Sequence, residues 1–312
     1  MRIGVDILGG DYAPEATVNG SILAYQELHE KATLVLFGDK DKIVELCKNQ
    51  NFDPSKFEIV HTTINIGMDE YPAKAFTSKP EASIPLGFSY LKSGKIDGFA
   101  SAGNTGAMLV GAMQVVKSIP GVLRPCITAG IPKNSGAPTI LLDVGINPDC
   151  KPDVLYQYGI IGSLYAELIY GVNNPRVALF NIGSEEEKGN LLTKAAHQAM
   201  KGTTDFNFIG NVEGTDLFRD DVDVIICDGF VGNTILKTAE AFYVLLHKRK
   251  IKDEYFARFN YEDYGGTPIL GINAPAIIGH GISGPGAIKN MILHTVDVVE
   301  SKLTKKIKQA FE

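Results

Sequence analysis

The stretch DVDVIICDGFVGNTILKTAEAFYVLLH, residues 221–247, changes its apolar period within one segment, and its reading decides the fold. Val222, Val224, Ile225, Ile226 and Cys227 form a short apolar run suited to a strand buried on both faces, as in a parallel sheet covered by helices. Asp228-Gly229-Phe230-Val231-Gly232-Asn233 ends that run, and Thr234 to Leu246 continues at helical spacing. The expectation is a polar turn between a strand's carboxyl end and a helix's amino end, where open α/β sheets bind ligands. Free N–H groups at a helix start favour an anion, and Gly229 and Gly232 let backbone approach it closely. Asp228, Asn233 and Thr234 bring a carboxylate, an amide and a hydroxyl to the same spot.

A second stretch repeats the pattern. Ile96 to Ala100 reads as a strand, Ser101-Ala102-Gly103-Asn104-Thr105-Gly106-Ala107 as a turn, and Met108 to Val116 as a helix. Gly-Asn-Thr therefore occurs at 103–105 and again at 232–234. Asn and Thr are ordinary turn and N-cap residues. Their double occurrence between a strand and a helix nevertheless points to a shared cleft. Gly103, Asn104 and Thr105 thus join Asp228, Gly232 and Thr234 as substrate-binding candidates.

Working outward, strands at Arg2–Asp6, Thr33–Phe37 and Phe57–Val60 alternate with helical runs at Pro14–Glu30 and Lys42–Lys48. That rhythm indicates a parallel sheet wound with helices. Periodicity fades from Thr62 to Glu81, which places Lys74 and Lys79 in an irregular loop. Later strands end in Asp143-Val144-Gly145, in Asn181-Ile182-Gly183, and in Gly210-Asn211-Val212-Glu213. No linker composition interrupts the chain. The expected architecture is α/β, one domain over 1–312 with a doubly wound, mostly parallel sheet flanked by helices.

Composition narrows the function. The 312 residues are long enough for a sizeable core, and a net charge of −6 argues against a nucleic-acid footprint. No apolar run reaches the roughly 18 residues needed to span a bilayer. The amino end reads as a first strand rather than a signal peptide, so a cytoplasmic protein is expected. Cys47, Cys126, Cys150 and Cys227 stand far apart, and the histidines are equally scattered, so neither a disulfide framework nor a metal site is signalled. Asp143 and Asp228, each at a strand end, could hold magnesium or serve as acid and base, although chance placement among 36 acidic residues accounts for both. Cys227, inside its apolar run, reads as buried rather than nucleophilic. Gly279, Gly281 and Gly284 satisfy G-x-G-x-x-G, but only one helix follows, without the further strand and acidic residue of a dinucleotide site. Lys188 differs from the Glu185–Glu187 run before it: a lone cation just past a strand end can reach an anionic group.

Taken together, Asp6…Gly9-Gly10-Asp11, Ser101 to Ala107, Leu142-Asp143-Val144-Gly145, Asn181-Ile182-Gly183…Lys188-Gly189-Asn190, Gly210 to Glu213, Asp228 to Asn233 and Gly265-Gly266…Gly279-His280-Gly281 resemble the phosphate acyltransferase family of bacterial phospholipid synthesis (PlsX). The resemblance covers nearly the whole chain. It implies conversion of acyl-acyl carrier protein and inorganic phosphate into acyl phosphate, which a membrane acyltransferase then passes to glycerol 3-phosphate. It also implies a fold similar to phosphotransacetylase and the isocitrate and isopropylmalate dehydrogenases, and a homodimer. The family's catalytic pair falls on Lys188 and Asn233, with no metal and no cofactor required. An acyl-CoA phosphate transferase of the phosphotransacetylase type is the alternative reading. Two departures stand out. A longer amphipathic insertion usual before Gly265-Gly266 is replaced by a short basic segment, which puts peripheral membrane association in question. The Thr77–Ser83 stretch, which holds the substrate-binding candidate Lys79, is less basic than is usual. An acidic enzyme engaging an acidic carrier needs a local basic patch, and Lys248, Arg249 and Lys250 form the densest candidate for carrier docking.

Overall fold

The computed structural model describes residues 1–312, apart from the side chains of residues 261 and 262. The chain gathers into two compact units, Met1–Ser118 with Tyr261–Glu300, and Ile119–Asn260 with Ser301–Glu312. No compositional break marks any of the three crossings, which is why the sequence reads as one domain.

The first unit opens with β1 (Arg2–Asp6), α1 (Glu15–Leu28), β2 (Thr33–Gly38), α2 (Lys40–Asn49) and β3 (Glu58–His61), then α3 (Pro72–Ser78), α4 (Ser83–Lys92), β4 (Gly98–Ser101) and α5 (Thr105–Gly111). The second contains β5 (Cys126–Ile131), β6 (Thr139–Leu142), α6 (Pro152–Tyr170), β7 (Arg176–Phe180), α7 (Leu191–Met200), β8 (Asn207–Val212), β9 (Val224–Ile226), α8 (Gly229–Lys248) and α9 (Glu254–Ala257). The chain then returns to the first unit for β10 (Thr267–Leu270), β11 (Ala276–Ile278) and α10 (Pro285–Glu300), and α11 (Leu303–Ala310) ends in the second.

Strands of the first unit run β3-β2-β1-β4-β11-β10, parallel except for the β10–β11 pair. Strand order reverses at β1, so the loops after β1 and β4 leave the sheet side by side at a switch point. Helices α1 and α10 pack closely there, with Gly20 set against Ile288, where a side chain at residue 20 would overlap it. The second unit runs β5-β6-β9-β7-β8, parallel except for β5–β6. Strand β9 lies between β6 and β7, and Ile226 is in register with both Leu142 and Leu179. Asp143, Asn181 and Asp228 therefore emerge at one level of that sheet. Fully buried β6 and β9 fit strands covered on both faces.

Two elements depart from the sequence reading. Pro72–Ser78, in the stretch expected to be an irregular loop, is helical, opened by a proline whose missing N–H costs nothing in a first turn. Helix α8 begins at Gly229 instead of near Thr234. Asp228 is its N-cap, with the side-chain oxygen accepting the Val231 N–H at 2.9 Å.

Candidate functional site at the ends of three strands

In the second unit a cavity of about 330 Å3 lies where β7 and β9 end, lined among others by Asn181, Gly189, Asn190, Thr193, Asp228 and Val231. Its two walls are the 181–190 loop and the first turn of α8. The loop is held by its own amides. The buried Asn181 donates to the Lys188 carbonyl at 3.1 Å, and its oxygen accepts the Ile182 N–H at 2.9 Å. Asn190 and Thr193 cap α7 reciprocally, at 2.9 and 3.1 Å. Asn211 donates to the Glu185 carbonyl at 2.8 Å and is itself bonded to the buried His197 at 2.9 Å. In the sequence Asn181, Asn190 and Asn211 stand out only as members of motifs. Asn181 stands immediately past β7, Asn190 caps α7 and Asn211 lies within β8.

Lys188 is exposed on this loop, its aliphatic stem lying over Gly183, and among the described residues its ammonium enters no ion pair. Asn233 is also exposed, and its amide faces the Gly145 backbone. Gly232 makes that approach possible: a Cβ at residue 232 would overlap the Asp143 carbonyl oxygen. The expected polar turn at 228–233 is thus corrected to a capped helix start, and Asn233 leaves its second turn.

Some of the backbone donors at that helix start already have partners. Gly229 donates to the Asn147 carbonyl at 2.8 Å, Gly232 to the Asp228 carbonyl at 3.0 Å, and Val231 to the Asp228 carboxylate. Two of the first-turn donors, those of Gly229 and Val231, are therefore engaged outside the helix ladder, and the cap is itself an acidic residue. The Thr234 hydroxyl donates to the Phe230 carbonyl at 2.8 Å within its own helix. Asp143 is fully buried and accepts N–H bonds from Ile127, Gly145, Ile146 and Asn147, the last at 2.6 Å. Its oxygens organise the loop, a structural task that leaves little capacity for a ligand. Burial, then the Asp228 and Asp143 carboxylates, push the Cys227 thiol well above its ordinary range, and Cys150 is pushed up to about 11, again chiefly by burial. Neither thiol is disposed to be a thiolate at neutral pH.

The other Gly-Asn-Thr turn belongs to the first unit. Gly103 packs against Gly9, and its N–H donates to Ser101 Oγ at 2.9 Å. Ser101 also bonds Asp6 at 2.6 Å, whose carboxyl is raised above its ordinary value by burial against the opposing effect of that bond. Asn104 is the N-cap of α5: its oxygen accepts the Ala107 N–H at 3.0 Å, while its nitrogen donates to the Gly67 and Glu70 carbonyls at 2.9 and 3.2 Å. Both ends of the amide are thus used to cap a helix and hold the 67–70 loop. Thr105 is exposed in the first turn of α5. Lys79 is ion-paired with Glu70 at 2.6 Å and also donates to the Asn65 carbonyl at 3.2 Å. That bond, followed by one from the Gly67 N–H, holds the Glu70 carboxyl below its usual value.

Lys248, Arg249 and Lys250 are exposed at the carboxyl end of α8, where cations complement the helix dipole. Among the described residues no helix is long and apolar enough to cross a membrane, and no three His, Cys, Asp or Glu side chains gather as a metal-binding group.

Comparison with solved structures defines the fold class first. The chain is similar to the EutD phosphotransacetylase from Staphylococcus aureus, with a TM-score of 0.65 and 18% identity over 96% of this chain and 94% of that one. It is likewise similar to a phosphotransacetylase from Streptococcus pyogenes, with a TM-score of 0.67 and 16% identity over the same shares. Sequence kinship is much nearer. A phosphate acyltransferase of Dictyoglomus turgidum is 40% identical, covering 98% of this chain and 96% of the relative, and one of Clostridioides difficile is 39% identical, covering 99% and 96%. The family model described as "Fatty acid synthesis protein" matches residues 1–253. The chain belongs to this family, that of the phosphate acyltransferases. The Dictyoglomus alignment runs to 327 positions against 312 residues here, so that relative carries residues without a counterpart in this chain.

Proposed function

We propose that the protein transfers a fatty acyl group from acyl-acyl carrier protein to inorganic phosphate, giving acyl phosphate and the free carrier thiol for phospholipid synthesis. The observation that carries this reading is the kinship with phosphate acyltransferases over 98% of the chain. In the reaction a phosphate oxygen attacks the thioester carbonyl carbon, forming a C–O bond and placing charge on the carbonyl oxygen. Collapse breaks the C–S bond, and the thiolate leaves to take up a proton. The exposed Lys188 ammonium offsets the charge of the incoming phosphate, and the Asn233 amide donates to the developing oxyanion. A donor that bonds the oxyanion more strongly than the ground-state carbonyl lowers the barrier itself. Steps written in this way use no metal and no cofactor.

The proposal includes a homodimer and docking of the carrier on Lys248, Arg249 and Lys250. Localisation is cytoplasmic in this reading, with peripheral contact to the membrane or to the membrane glycerol-3-phosphate acyltransferase. A second reading, phosphate transfer from acyl-CoA, is favoured by the fold shared with phosphotransacetylases. Incubation of the protein with phosphate and either palmitoyl-carrier protein or palmitoyl-CoA, with hydroxylamine trapping of acyl phosphate, separates the two. Product from the carrier thioester at much higher kcat/KM is expected, and a preference for CoA would establish the second reading instead.

A further inference from the structure

A groove of about 530 Å3 runs along α8 on the second unit, beyond the residues so far placed in the chemistry. Helix α8 has 20 residues, yet only Gly229 and Gly232 are fully buried; Ile235 and Leu236 pack half-buried against the core, and the apolar residues farther along the helix are not part of it. Ile235, Ala239, Tyr243 and Leu246 form one stripe of the helix along the groove. The stripe extends about 17 Å at 1.5 Å per residue. Phe218, Phe256 and Phe259 contribute an aromatic wall, with Phe218 and Phe259 rings 5.9 Å apart. The two threonines on the lining have their hydroxyls engaged, Thr234 donating to the Phe230 carbonyl at 2.8 Å and Thr238 to the Thr234 carbonyl at 2.7 Å. Phe242, also on the lining, is 61% exposed, an apolar side chain left facing solvent.

Continuity with the strand-end cavity identifies the occupant. Phe180 lines both spaces, and Val231 on the strand-end cavity is about one helical turn from Thr234 and Ile235 on the groove. We propose that this groove seats the hydrocarbon chain of the acyl thioester, its mouth at Phe180 and its far end near Leu246. The proposal rests on the acyl-transfer reading above and adds to it a place for the chain. An apolar groove of this length that shares Phe180 with the strand-end cavity suits a long unbranched chain, and each methylene entering it should raise kcat/KM about fourfold until the groove is full.

The test is kcat/KM for carrier-protein thioesters from butyryl to palmitoyl, with phosphate, in the full chain and in two variants that fill the groove, Ala239→Trp and Thr238→Phe. Thr238 is exposed, so its variant keeps the test usable if Ala239→Trp does not fold. The expected result is a wild-type rise with chain length that stops several carbons earlier in both variants, with butyryl rates within about twofold of wild type. An unchanged profile in folded variants would overturn the groove while leaving acyl transfer in place. Equal loss at every chain length, with a dimer becoming a monomer in sedimentation, would show that a second copy covers the groove and would also overturn the proposal. Absence of acyl phosphate from every thioester in the wild type would instead remove the acyl-transfer reading, and the groove assignment with it.

Discussion

Replacing Gly232 by alanine adds one methyl group where the structure has no room for it. The new Cβ would overlap the Asp143 carbonyl oxygen and stand 2.9 Å from Cys227 Sγ. Neither neighbour is free to retreat, because the Asp143 N–H donates to the Cys227 carbonyl at 3.0 Å and the Cys227 N–H to the Leu142 carbonyl at 2.8 Å. The start of α8 must move instead. An alanine inside a helix gains about 1 kcal/mol over glycine, whereas overpacking costs about 1–3 kcal/mol and sometimes more. The net expectation is a loss of about 1–2 kcal/mol, since an overlap with fixed backbone belongs at the upper end of that range. Asn233 is the next residue, so the same movement displaces its amide, and a shift near 1 Å at a reacting centre costs about 100-fold in rate. Gly286→Ala is the matched control: it also lies in a helix, but a Cβ there meets nothing within 4 Å. It should be neutral or stabilised by up to about 1 kcal/mol, with normal activity. Urea unfolding and acyl phosphate formation measured on both variants decide the matter. Equal stability and activity in the two variants would refute the backbone packing of α8 on residue 143.

Other expectations follow from buried charge and from the surface. Asp223 is buried and bonds Lys133 at 2.7 Å and Arg176 at 2.8 Å, so Asp223→Asn should cost about 3–5 kcal/mol in urea unfolding by leaving the Lys133 ammonium buried without its carboxylate; a loss under 1 kcal/mol would contradict that pairing. Burial holds His294 down at about 4, against 6.5 as the ordinary value. On acidification the unfolded chain takes up this proton first, so the contribution is complete above pH 6.5 and is lost as pH falls from 6.5 to about 4, at up to about 1.4 kcal/mol per pH unit. His294→Gln should flatten that part of the stability profile, and an unchanged slope would exclude His294 as its source. Reversing Lys248, Arg249 and Lys250 to glutamate should raise KM for acyl-carrier protein and leave KM for phosphate nearly unchanged; unchanged carrier kinetics with lost binding to anionic vesicles would assign the patch to the membrane.

What could be read in the sequence follows from which interactions are local. Val222 to Cys227 announces a doubly covered strand by composition alone, and β9 is buried throughout. The alternation of such runs with helical periods gives the wound parallel sheet, and the polar residues past strand ends mark where it opens. Gly229 and Gly232 were legible as special but not for the right reason. Glycines suggest a turn, whereas here they let a helix start press against the 143–147 backbone, a neighbour distant in sequence. Asn104 shows the same limit. Its position in Gly-Asn-Thr suits a ligand or a cap equally well, and only the fold brings the 67–70 carbonyls to its amide nitrogen. Lys79 appeared available because its partner Glu70 lies nine residues away across a helix that fading periodicity concealed. The groove along α8 was equally hidden, since an apolar helical stripe reads as core until the exposure of Phe242 is known.

The most direct test of the proposed chemistry is turnover of palmitoyl-carrier protein with phosphate by Lys188→Ala and Asn233→Ala, measured beside wild type on protein shown to be folded. Both side chains are exposed, so truncation should leave stability within about 0.5 kcal/mol of wild type. The expected result is a fall in kcat of about 100-fold or more for each variant. Turnover near the wild-type rate in either one would remove that residue from the reaction, and near-normal rates in both would contradict the placement of the chemistry at the ends of β7 and β9.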